Sequence, residues 1–162
     1  MEEKIIERNI SEIPKKESNA FDPNKYHNKS VKIAKVQEVE VTDFYPNGSY
    51  DDKSTATTHK IKIETEPLHE LDEGGNFTDK ILTFKDEVKN VEVPITRRHY
   101  FGLSIDENGN WFISKHPNAK LWAFMKLHKV EDPTALIGKY AKLVAIPSTN
   151  PEDDSTKLRI LV

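Results

Sequence analysis

The stretch "WFISKHPNAKLWAFMKLHKVEDPTALIGKYAKLVAI", residues 111–146, decides how this chain folds. It opens on strand-like "WFIS" and then changes period. Pro117 suits a first helical turn, where its missing N–H does no harm, and "NAKLWAFMKLHK" is rich in helix formers. At about 100° per residue, Leu121, Phe124, Met125 and His128 share one stripe, which predicts a helix that plugs the end of a β core. Trp122, Lys126 and Lys129 share the neighbouring stripe. Asp132 before Pro133 reads as a cap for a short second turn, and Gly138 as its stop. "KYAKLVAI" starts a strand at once, so the helix lies between two strands.

Upstream the period is two. "VKIAKVQEVEV" (31–41) alternates, changes phase and alternates again, which predicts a bulge that bends the sheet. "HKIKIET" (59–65) is a second strand. "KILTF" (80–84) and "VEVPITRRHYFGLSI" (91–105) are further strand material, with Pro94 restricted to an edge or a strand start. "FYPNGSYDDKSTAT" (44–57) and "PLHELDEGGNFTD" (67–79) carry loop chemistry. "KLRILV" (157–162) closes the chain as a strand. Residues 1–29 sustain no period and read as a flexible N-terminal arm ahead of a domain at 30–162.

The order is three strands with an added hairpin, a helix, and two strands. That is the order of an OB-fold. The expectation is a mainly β protein with one principal helix, built as an OB-fold-like five-stranded Greek-key barrel with an extra hairpin. "LIGKYAKLVAI" after a helix, and the run "WFISKHPNAKLWAFMKLHKVEDPTALIGK", resemble OB-fold single-stranded nucleic-acid-binding proteins of the phage and archaeal replication-accessory type. The resemblance implies DNA binding and a role in replication.

Composition narrows the class. Hydrophobic residues make up 36% of the 162 and charged residues 31%. A small barrel fits that balance better than a large layered enzyme. No cysteine is present, which removes disulfide and thiolate-metal chemistry. The lack of a leader or a long apolar run predicts a cytoplasmic protein with no membrane partner. Net charge is −3, but unevenly spread: residues 30–94 hold 8 Lys/Arg and 14 Asp/Glu, residues 95–142 hold 8 Lys/Arg and 4 Asp/Glu. The second half therefore offers a basic surface to an anionic partner, or its charges are only solvated faces.

Asn108-Gly109 is a strong two-residue hairpin signal. Read so, Asp106 pairs with Trp111 and Ile105 with Phe112. Phe101, Leu103, Ile105 and Phe112 then face the core, and Arg98, Tyr100, Gly102 and Trp111 share the other face. Two aromatics and an arginine make a platform for unstacked bases, each stack worth about 1–3 kcal/mol. Tyr45 and Tyr50, with Phe44, would join it from the loop after the first strand, and Lys126 and Lys129 would reach phosphates. The competing reading has Tyr100 and Trp111 covered by neighbouring loops, and Trp122 at the core rim under lysine stems. The loop acids Glu152, Asp153 and Asp154 oppose a phosphate backbone.

Histidine spacing matches no zinc protease, and no nucleophile elbow, P-loop or dinucleotide-binding pattern is present. The sequence thus predicts a non-enzymatic chain without cofactor or metal. Its partner is expected to be single-stranded nucleic acid, DNA foremost, held by stacking and backbone charge. The alternative is a protein-interaction or structural subunit on the same barrel, with a protein partner or self-association.

Overall fold

The computed structural model describes residues 3–13, 21–44 and 55–162. Among these residues the strands are β1 (Ser30–Phe44), β2 (Thr55–Thr65), β3 (His69–Leu71), β4 (Phe77–Ile81), β5 (Thr83–Asp86), β6 (Val91–Pro94), β7 (Arg98–Gly102), β8 (Ser104–Ile105), β9 (Trp111–Phe112), β10 (Tyr140–Pro147) and β11 (Thr156–Ile160). One α-helix, α1 (Lys120–Leu127), and 3-10 turns at Ile10–Glu12, Pro23–Tyr26 and Pro133–Leu136 complete the set.

Five strands form the main sheet in the order β11-β10-β1-β2-β7, every pair antiparallel. The predicted bulge is present. The β1–β2 register jumps from Ile33↔Thr65 to Lys35↔Glu64, which leaves Ala34 as the extra residue. That bend lets Ser30–Lys32 of β1 pair with β10 while Ile33–Phe44 pairs with β2.

The sheet does not close. β7 and β11 remain edges with no ladder between them, so the expected OB-fold barrel is corrected to an open five-stranded sheet. The resemblance to OB-fold nucleic-acid-binding proteins, and the replication role drawn from it, lose their basis with it. Physical reasons stand in the seam itself, a groove of about 560 Å³ lined by Phe21, Pro23, Arg97, Arg98 and β11 residues that include Lys157 and Arg159. Four cations line it, and like charges across two strand edges disfavour pairing. Phe21 lies against Arg97 in the same groove, its ring 5.6 Å from the guanidinium carbon.

The core lies on one face of this sheet. Ile33, Ile61, Ile63, Phe101, Leu143 and Ile160 are buried there, and α1 covers them with Leu121, Phe124 and Met125. The predicted helix stripe holds, with His128 edge-on to Phe124 at 4.5 Å. Asp132 caps the Pro133–Leu136 turn by accepting from the Thr134 amide at 2.9 Å. Gly138 ends that turn at a φ of 88°, where a side chain would be strained. Tyr26 joins the same core at 4% exposure, its hydroxyl donating to the His69 carbonyl at 2.8 Å.

Between β2 and β7 the chain makes two hairpins, β3–β4 and β5–β6. They leave the body where three backbone bonds tie Leu68, Leu82 and Ile95 together: Leu82 N–H to Leu68 O, Leu68 N–H to Ile95 O and Ile95 N–H to Leu82 O. "KILTF" is therefore two strands broken at Leu82. No helix among the described residues is long and apolar enough to cross a membrane.

Candidate functional site

The predicted base-stacking platform is not assembled. The β8–β9 ladder pairs Ser104 with Phe112 and Ile105 with Trp111, one residue away from a two-residue Asn108-Gly109 loop. The loop is longer. Asp106 accepts from the amides of Asn108 and Asn110, both at 2.9 Å, and Gly109 takes a φ of 82°. This is a type I turn closed by a glycine bulge. A one-residue shift reverses every side chain. Trp111 consequently stacks on His59, ring centroids 4.9 Å apart at 7°, on the inward-facing side of β2. Glu38 and Glu40 hold the same imidazole at 3.0 and 3.8 Å. Ile105 and Phe112, expected in the core, are exposed.

Tyr100 lies on the opposite side of the sheet, beside Lys62 in the β2–β7 ladder. Arg98 shares that side, but its Nε is 3.3 Å from the Glu64 carboxylate, which also accepts from the Thr96 hydroxyl at 3.0 Å. Lys126 lies over the Trp122 ring at 5.5 Å and Lys115 at 5.1 Å. Trp122 therefore packs at the core rim beneath lysines. Lys129 is exposed beyond the end of α1 at a φ of 57°. Tyr45 and Tyr50 lie outside the described residues. The expected function, single-stranded DNA binding by stacking on a closed barrel, is corrected accordingly: the barrel is absent, and Tyr100 and Trp111 face opposite ways.

Two other surfaces stand out. The first is β5–β6. Phe84 pairs with Val93 and Asp86 with Val91, so Leu82, Phe84, Val91, Val93 and Ile95 lie on one face, with Asp86 as its one charged member toward the tip. The face starts in the core, where Ile95 is buried, and runs out into solvent, where Phe84 is 52% exposed, Val91 48% and the tip residue Val88 96%. At its root lies a hollow of about 370 Å³ lined by Phe84, Val93, Pro94, Ile95, Thr96, Arg97 and Arg98. The second surface is the basic seam, which meets this hollow at Arg97 and Arg98. Arg97 Nε is buried without a hydrogen-bond partner. Burial, and then the neighbouring Arg98, lower the Arg97 pKa from its usual value.

The same basic flank acts on His99. Burial pulls its imidazole below the ordinary 6.5, helped by Lys120 and Arg159. Burial, with Lys139, lowers His128 likewise. Near pH 6.5 the unfolded chain takes up protons at these two sites more readily than the folded chain. Their contribution to stability is therefore complete above that pH and lost as pH falls below it. The urea midpoint should be lower at about pH 5.5 than at about pH 7.5, and the difference should shrink in His99→Gln. Equal midpoints in the wild type would show that folding leaves both imidazoles as basic as in the unfolded chain. Asp132 and Asp153, whose carboxyls are held below the ordinary 3.8 chiefly by hydrogen bonds from Thr134 and Ser155, respond only in more acid solution.

Among the described residues no three His, Asp or Glu side chains gather as a metal site. Comparison with known protein families, characterised proteins and solved structures finds no match to this chain. Sequence reasoning passed over Phe84, Val88, Val91 and Val93 as an interaction face. Their signal was the alternation of Leu82 and Phe84 continued in Val91, Val93 and Ile95, with "DEVKN" between.

Proposed function

We propose that this chain is a non-catalytic protein-interaction module whose contact element is the β5–β6 hairpin. One observation carries the reading: an apolar face that continues the core through Ile95 and Val93 to Phe84 and Val91 and leaves the last two about half exposed. A two-stranded hairpin is marginal in water by itself, and a contiguous apolar patch of this kind marks a surface meant to be covered. Arg97 and Arg98 at its root give the patch a charged border, the usual anatomy of a protein interface.

The test is photo-crosslinking in the cells that make the protein. A photoreactive phenylalanine analogue is placed at Phe84 or, as a control, at exposed Tyr140 on β10. A discrete protein adduct at 84 and none at 140 is expected. No protein adduct at 84, or nucleic acid in its place, overturns the reading.

A further inference from the structure

We infer that the partner of the hairpin is a second copy of this chain, packed face to face on the first about a two-fold axis with the hairpins antiparallel. The inference rests on the interaction-module reading above and goes further by naming the occupant. The hairpin is polarised along its length. Its tip carries Asp86, Glu87 and Val88, with Lys89 as the one cation of the turn, and its root carries Arg97 and Arg98 beside the hollow, the second already paired with Glu64. A two-fold interface must be self-complementary, with residue i meeting j and j meeting i. Antiparallel packing meets that condition. It sets the acidic tip of each copy over the basic root of the other and aligns the two Phe84–Val91–Val93 faces. A parallel arrangement would put tip on tip and root on root, like charge on like.

The root is shaped for a tip. Its hollow of about 370 Å³ is open and mixed in character, with Phe84, Val93 and Ile95 beside Arg97 and Arg98; it has room for Val88 together with its flanking turn residues, and Val88 stands 96% exposed at the opposite end. The Asp86 carboxylate accepts from the Val88 and Lys89 amides at 3.0 and 3.3 Å. The tip is thereby held in one conformation before it docks. Arg97 Nε, buried and lacking an acceptor, lies at this root. That nitrogen is closed off from outside, so the Glu87 carboxylate of the second copy meets the part of the Arg97 side chain left exposed at the hollow. The contact is confined to two short hairpins, and a reversible dimer that dissociates in about the micromolar range is expected.

The experiment uses the full chain, whose lack of cysteine makes engineered thiols clean probes. Sedimentation equilibrium over about 5–500 μM should give a reversible monomer–dimer mass. Val88→Asp and Glu87→Lys both lie on the exposed tip, where they leave the core intact. They should weaken association by at least about tenfold, and Glu87→Lys should lose most of its effect in high salt. The double variant Val88→Cys/Val93→Cys, with Val93 on the docking face, should oxidise to a covalent dimer. Tip and root of one hairpin are too far apart for the roughly 7 Å Cα limit of a disulfide, so only a second copy can close it. Either single-cysteine variant should form far less. A monomer at every concentration, with the double variant no more dimeric than the singles, overturns the second-copy assignment. The crosslink at Phe84 separates the two failures. An adduct heavier by an unrelated protein leaves the module reading standing and removes self-association, and no adduct removes both.

Discussion

Phe124→Ala should cost about 3–5 kcal/mol of folding stability, the range for emptying a buried aromatic site. Phe124 is 2% exposed at the point where α1 meets the sheet. Its ring lies 5.5 Å from Phe101 on β7 and 4.5 Å from His128 at the helix end. Truncation removes the link between helix and sheet at a place where a short helix has little freedom to collapse inward. The eight-residue α1 has no side-chain N-cap bond, so packing rather than capping must hold it. Urea denaturation should show the midpoint fall with the slope unchanged. Leu127, one turn on, is 71% exposed. Leu127→Ala should stay within about 0.5 kcal/mol. Comparable losses in both would mean that the helix is not docked through this face.

That stripe was readable because helical period and hydrophobicity agree over Leu121, Phe124 and Met125. The Ala34 bulge was readable for a similar reason: two alternating runs in different phase cannot share one flat strand. Asp132 and Gly138 announced themselves through local chemistry that tertiary contacts do not alter. What failed depends on choices that local sequence leaves open. Asn108-Gly109 serves a two-residue loop, and it equally serves a three-residue loop in which Gly109 is the bulge. Asp106 decides between them by accepting two amides, and Trp111 then lands on His59 instead of beside Tyr100. A single residue of register thus dissolved the predicted site.

Closure of the sheet was no more legible. Whether β7 zips to β11 depends on what meets across the seam. Arg97 is far in sequence from Lys157 and Arg159, and Phe21 comes from a segment with no periodic signal. The β5–β6 hairpin was missed because its turn, Glu87 to Asn90, has no glycine. Asn90 supplies a positive φ of 53° there, a conformation that glycine would ordinarily mark.

Thr65→Val should cost about 1–3 kcal/mol even though it keeps the side chain's shape. Thr65 is the buried polar residue of the core, at 1% exposure. Its hydroxyl accepts from the Arg97 amide at 3.0 Å, and its own amide donates to the Arg97 carbonyl at 2.9 Å. The two bonds fasten the end of β2 to the residue that joins the hairpin root, the seam and the start of β7. Valine fills the space and leaves the Arg97 N–H buried without an acceptor, where desolvation is not repaid by a hydrogen bond. Thr65→Ser keeps the oxygen and gives up one methyl, a loss of about 1 kcal/mol. The expected order of stability is threonine, then serine, then valine. Amide exchange at Arg97 should quicken in the valine variant alone. Valine as stable as serine, with Arg97 still protected, would mean that another group satisfies that amide. The position of Arg97, on which the seam and the hairpin root both depend, would then have to be fixed from the β7 side.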